Sequence, residues 1–306
     1  MTPLEMQNKV KEATRNRTRY VFSMINSEFL KINVPITKTP YKIAIQFSGG
    51  LRNFNITQEW ANKFLIDPLN ADVFFHGWCN KNGVENNEKE ILNYHNLKSF
   101  KILEREKVPL PVPDILKGKY PDHVRRGLGM ELADHVLGQL FNIRNSFDVM
   151  EKYEQEHRIK YDIVIRARPD VFWYANLEDK DLDHIMHNNC LATPQHYMYA
   201  ICGNSINDQF AMSQKDIMRV YTRMYDMVET YGHIAPNDSA TEFYVTHHIT
   251  NTMRIPLHDI DMTFMLDYPS DYSIEKGFTN FNFRNKDQND SKVAMDIVDE
   301  IVKKNS

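Results

Sequence analysis

Five residues, Arg166-Ala167-Arg168-Pro169-Asp170, close an apolar run that begins at Tyr161 as YDIVI. A turn that only redirected the chain would use Gly, Asn or Asp. This one gathers two guanidinium groups and a carboxylate at a strand end, where α/β sheets hold ligands. Two other apolar runs end in a similar way. Ser48-Gly49-Gly50-Leu51-Arg52 follows one, and His76-Gly77-Trp78 closes another. A glycine pair lets backbone approach an anion closely, and arginine grips phosphate oxygens through paired N–H donors. Trp78 offers a flat face to a base or a sugar. Each end has a plainer reading: SGG as a turn, His76 and Trp78 as packing. Three such ends on one side of one sheet point to a phosphorylated ligand.

For the three ends to meet, strands must alternate with helices. YKIAIQF (41–47) reads as a first strand, with SGGLRNFN as the turn after it and ITQEWANKFLIDPL as a helix. ADVFFHGW (71–78) is a second strand, a charged helix lies near Glu85–His95, and SFKILERE (99–106) is a third strand. Three prolines exclude PLPVPD (109–114) from any helix or strand interior. Residues 129–157 place Leu132, Val136, Leu140, Ile143, Phe147 and Met150 at helical spacing. After the YDIVIRA strand come a helix (LDHIMHNN), a short strand (CLATP), and a strand or loop ending NDQFAMS. Helices follow over 214–231 and 239–252, and a last one near Ser291–Lys303. The alternation predicts an α/β, Rossmann-like domain over 41–306, with a mainly parallel central sheet flanked by helices. Residues 1–40 are a helical extension and a Pro/Thr-rich linker.

Composition narrows the function. A net charge of −4 in 306 residues gives no basic footprint for nucleic acid. Cys79, Cys190 and Cys202 lack CxxC spacing and read as free thiols of a reducing compartment. No apolar run suits a transmembrane helix and the polar N-terminus has no signal-peptide core, so a cytoplasmic protein is expected. Neither GxxxxGK[ST] nor GxGxxG occurs. An ATP-using loop of the strand–SGGxDS–helix type shares the SGG, but Leu51, Arg52 and Asn53 lack its Asp-Ser.

The order IAIQFSGGLRNF, ADVFFHGW, QLFNIRNSFDVMEKYE, YDIVIRARPDVFW, NDQFAMS resembles viral and bacterial nucleotide-sugar glycosyltransferases of the GT-A fold, over residues 41–250. The resemblance implies a hexosyl or pentosyl transferase, using a UDP- or GDP-type donor and a glycan hydroxyl acceptor, in the cytoplasm (a host's, if the chain is viral). YDIVIRARPD stands where that family carries a DxD motif, whose carboxylates hold a divalent metal on the diphosphate. Asp170 matches the last acid, while Arg168 replaces the first. Any Mn²⁺ or Mg²⁺ would then have Asp170 as its one acid of the motif, with the arginines partly replacing the metal. The resemblance also assigns Ser48, Gly49, Gly50 and Arg52 to the nucleotide. It assigns Gln139, Arg144 and Asn145 to the nucleotide or sugar, the alternative being a polar helix face. Inverting transfer needs a base for the acceptor hydroxyl. Asp208 is the first candidate and Glu242 the second. The pair His247-His248 points about 100° apart on a helix and is unsuited to one ion. A catalytically silent binding module is the alternative to an enzyme.

Overall fold

The computed structural model describes residues 34, 36, 37, 39–51, 54–79, 83–110, 129–173, 177–194, 206–234, 241–260 and 264–266. The expected helices over 1–31 and near Ser291–Lys303, Arg52, Cys202 and most of the Pro-rich stretch lie outside these residues.

The chain opens with β1 (Ile43–Gly50), α1 (Phe54–Ala61, run on by a π-helical turn over Asn62–Ile66) and β2 (Asp72–Trp78). Next come α2 (Val84–Ile91), β3 (Leu97–Leu103), α3 (Gly129–His157), β4 (Ile163–Ala167) and β5 (Val171–Trp173). They are followed by α4 (Asp179–Asn188), β6 (Leu191–Pro194), β7 (Phe210–Gln214) and α5 (Lys215–Thr222). A 3₁₀ turn over Arg223–Met227 leads to α6 (Val228–Ile234), α7 (Thr241–Thr246) with a π-helical turn over His247–Thr252, β8 (Leu257–Ile260) and β9 (Phe264–Leu266).

Among the described residues, seven strands form one sheet in the order β3-β2-β1-β4-β7-β6-β8, and β5 pairs with β9 beside it. Pairings β1–β2, β2–β3, β1–β4 and β6–β8 are parallel; β7 runs antiparallel to both β4 and β6. The expected α/β architecture with a mainly parallel sheet is therefore present. From β1 the chain builds outward through β2 and β3, whereas β4 starts the other side. The order reverses between β1 and β4, which is where α/β sheets open a crevice at the strand carboxyl ends.

Some boundaries differ from the sequence reading. Ser48, Gly49 and Gly50 belong to β1 rather than to a turn, because they stay in register with His76, Gly77 and Trp78 of β2. Gly77 permits this: a Cβ there would lie 1.9 Å from the Gly49 carbonyl oxygen. The third strand ends at Leu103, and the helix expected over 214–231 is broken by the 3₁₀ turn.

Strand periodicity divides the core in two. Ile43, Ile45 and Phe47 of β1, Val73 and Phe75 of β2, and Ile163 and Ile165 of β4 pack with α1 and α4. The alternate residues face α3 and α5, where Ala44, Phe74 and Val164 meet Leu140, Ile143, Phe147 and Met218. Burying a Leu, Ile or Phe side chain stabilises by about 1.5–3 kcal/mol, so these two layers fix the strand ends relative to one another.

Candidate functional site

On the α3 face, polarity rises along each central strand toward its carboxyl end. Ala44 gives way to Gln46 and Ser48, Val164 to Arg166, and Phe74 to His76, all of them buried. Arg166 has no exposed surface. Its Nε donates to Ser48 Oγ at 3.0 Å and its Nη1 donates to the backbone carbonyl of Asp208. Burial pushes the guanidinium pKa down, while the nearby Tyr221 and Asp208 act the other way. Arg166 ties β1, β4 and the loop before β7 together from below. Two of its three nitrogens, Nε and Nη1, are thus spent on the protein, while Nη2 has no hydrogen-bond partner among the described residues.

Asp208 stands in that loop, 5 % exposed. The Asn207 side chain accepts from Gln209 N–H at 2.6 Å, a local turn that lifts the residue between them. The Asp208 carboxylate accepts from Gln139 Nε2 at 2.6 Å, and Gln139 Oε1 accepts from Thr241 at 3.3 Å. Thr241 opens α7 and precedes Glu242. Asp208, Gln139 and Thr241 thus form one hydrogen-bonded chain, which ends one residue before Glu242.

Arg168 and Asp170 form the outer part of the site. Arg168 donates from Nε and Nη2 to the two oxygens of Asp170, at 2.9 and 2.8 Å. Their side chains are 16 % and 1 % exposed, so the cation lies outward and the carboxylate behind it. Backbone bonds set the turn: Arg168 N–H donates to Gln209 O at 3.1 Å, and Thr57 Oγ1 donates to Pro169 O at 2.6 Å. Gly49, at φ +137°, lies with its Cβ position 3.6 Å from Pro169 Cδ, and beside Gly50 no atom of the described residues lies within 4 Å of a Cβ position.

This donor set does not fit the expected metal. Both Asp170 oxygens are engaged by Arg168, and no group of three His, Cys, Asp or Glu residues suited to a metal ion occurs among the described residues. A dication about 4 Å from the guanidinium would meet roughly 8 kcal/mol of repulsion at an effective dielectric near 20. As folded, Asp170 is the counter-ion that orients Arg168.

Other expected site residues fall elsewhere. Arg144 pairs with Asp226 at 2.8 Å and lies over Tyr225, and Asn145 donates to Phe141 O within its own helix. Both are on the far side of α3. Trp78 stacks on Phe141 at 5.6 Å, with Arg105 over its ring at 5.4 Å, so its face serves packing. His76 bonds Asn142 Oδ1 through Nδ1 at 2.8 Å, and burial lowers its pKa to about 4. His248 is buried, bonded to Tyr231 Oη through Nδ1 at 2.5 Å and to Val220 O through Nε2 at 2.8 Å.

Thr57, Thr241 and Asn142 support the site and were not singled out from sequence. Asn142 carried a signal: Gln139, Asn142 and Ser146 recur at i, i+3, i+7 and interrupt the apolar face of α3 with polar groups. Thr57 and Thr241 carried none, because their partners are 112 and 102 residues away.

Residues 38–234 match the family described as a domain of unknown function (DUF7796). The chain belongs to this family. No curated protein matches it. Among solved structures it is similar to the apo form of mouse xyloside xylosyltransferase 1, at a TM-score of 0.42 and 9% identity over 72% of this chain and 85% of that one. So distant a likeness says nothing about what this DUF7796 chain binds. No helix among its described residues is long and apolar enough to cross a membrane.

Proposed function

We propose that the chain transfers a sugar from a nucleoside-diphosphate donor to a hydroxyl of a glycan acceptor. The observation that carries this reading is a convergence at the β1–β4 reversal. A part-exposed Arg168, the space beside Gly50 and a hydrogen-bonded carboxylate (Asp208) all lie at the β1 and β4 carboxyl ends or in the loop before β7, which is bonded to them. A diphosphate needs the first two, and an acceptor hydroxyl needs the third. In an inverting reaction the acceptor oxygen bonds the sugar's anomeric carbon and the bond to the diphosphate oxygen breaks. The diphosphate leaves with that electron pair, and Asp208 takes the hydroxyl proton. Gln139 holds the Asp208 carboxylate from one side. Glu242, beside Thr241, is the second candidate for the base.

A binding module without turnover is the second reading, favoured by the burial of Asp208 to 5 % exposure. Thermal-shift measurements with UDP-, GDP- and CMP-sugars and ATP, followed by assay of released nucleotide, separate the two. A saturating donor at 100 times its Kd stabilises by about 2.7 kcal/mol, which is several degrees in Tm. A shift with a nucleotide-sugar and release of its nucleoside diphosphate are expected. A shift without release favours the binding module, and no shift with any sugar nucleotide refutes both.

A further inference from the structure

We infer that this site recognises its diphosphate without a divalent cation, Arg168 standing in the cation's place. The inference rests on the transferase reading above and concerns how the donor is held.

Three observations carry it. The first is order of access. From solvent inward a ligand meets Arg168 before Asp170, because the carboxylate is 1 % exposed beneath the guanidinium. A hydrated Mg²⁺ gives up its water reluctantly and would have to displace that guanidinium to reach an oxygen. The second is charge. One guanidinium and one carboxylate already cancel, so the turn is electrically complete as folded. A dication added to it would stand beside Arg168, and the one acid of the turn, Asp170, already holds that guanidinium with both oxygens. The third is rigidity. The fork of Arg168 is fixed by two bonds to Asp170, and its backbone by Gln209 O. A planar donor held in this way loses little freedom when it meets a phosphate oxygen. The space beside Gly50, where no atom of the described residues lies within 4 Å of a Cβ position, gives the anion room to approach backbone.

The test is calorimetric titration of the full chain with UDP, GDP and inorganic pyrophosphate, each in EDTA and again in Mn²⁺. At least one nucleoside diphosphate is expected to bind in EDTA with the affinity it has in Mn²⁺. Arg168→Ala is expected to weaken that binding about tenfold or more, as loss of charged hydrogen bonds does. Arg168→Lys keeps the charge and loses the fork, and is expected to fall between the two. If Arg168→Ala does not fold, the wild-type comparison and Arg168→Lys still decide. Binding in Mn²⁺ with none in EDTA overturns this inference and leaves the transferase reading standing. An Arg168→Ala chain that binds as wild type does in EDTA also overturns it. No binding of any probe in either condition overturns both.

Discussion

The two faces of the central strands are built from alternate residues of the same segments, yet they differ in kind. Toward α1 and α4, β1 presents Ile43, Ile45 and Phe47, and β4 presents Ile163 and Ile165. Toward α3, the same strands pass from Ala44 and Val164 to Gln46, Ser48 and Arg166. On the first face the strand residues are all apolar, and Tyr94 Oη is a buried polar atom of that core without a partner among the described residues. The second gives up transfer free energy near the strand carboxyl ends and leaves Gln46 Oε1, Asn142 Nδ2 and Arg166 Nη2 without a hydrogen-bond partner among the described residues. Each unmet buried polar atom costs about 1–3 kcal/mol. A fold that needed only stability would have continued the apolar pattern. Sequences break their own rules at functional sites, and this gradient ends at Asp208 and Arg168.

The contrast can be broken by substitution. The largest effect is expected at Asp208. Asp208→Asn should reduce sugar transfer about 10²–10⁴-fold while donor affinity by calorimetry stays unchanged. Equal loss of donor affinity would move Asp208 to the donor side, and loss in Glu242→Gln instead would hand that residue the role. Next comes Arg166. Arg166→Ala should lower unfolding free energy in urea by about 3–5 kcal/mol, as breaking a buried charged network does. Its neighbour on the other face, Ile165→Ala, should cost about 2–5 kcal/mol through cavity formation. The two differ in a second readout: Arg166→Ala should also lower transfer by the folded fraction, since it frees the Asp208 backbone, whereas Ile165→Ala should not. Equal transfer by both folded variants would erase the distinction between the faces.

The smallest effect concerns His76. Its pKa falls from 6.5 to about 4 on folding because burial disfavours the charged ring. The unfolded chain therefore binds a proton between these values that the folded chain refuses. Stability is complete above pH 6.5 and declines as the pH drops toward 4, by about 3 kcal/mol from this group. His76→Gln should flatten that part of the urea-measured stability profile. An unchanged slope would mean that the ring is not shielded on the α3 face.

Much of this arrangement was legible beforehand where it depended on local pattern. The YDIVI run gave β4, the apolar spacing of 129–157 gave helix there without deciding between one long helix and two stacked ones, and RARPD marked the strand end that carries Arg168 and Asp170. What could not be read was direction. Arg166 and Arg168 are two residues apart and should share a face in a continuing strand, but β4 stops at Ala167. One side chain is sealed under α3 and the other turns with the loop. Arg144 and Gln139 likewise differ only in helical phase, and Arg144 was drawn to Asp226, a partner 82 positions on. The register that brings Asp208 to Arg166 depends on β7 running backward beside β4, which no short-range pattern announces.

That reversed strand has a consequence for how the chain is made. β6 leaves the ribosome before β7, yet its neighbours in the finished sheet are β7 and β8. In a chain synthesised only to residue 200, β1 to β4 have all their mutual partners, and the flank of β4 that β7 covers in the finished sheet has none. β6 waits with no native partner. Only when Phe210–Gln214 emerges can it slide into the gap, and only then does Asp208 arrive above Arg166. Gln139 waits longer still, until Thr241 has been synthesised. The strands of the parallel block are thus synthesised before the residues that complete the Asp208 network. A chain stalled between the two would be a folded shelf with an open edge, a substrate for chaperones rather than a partial enzyme.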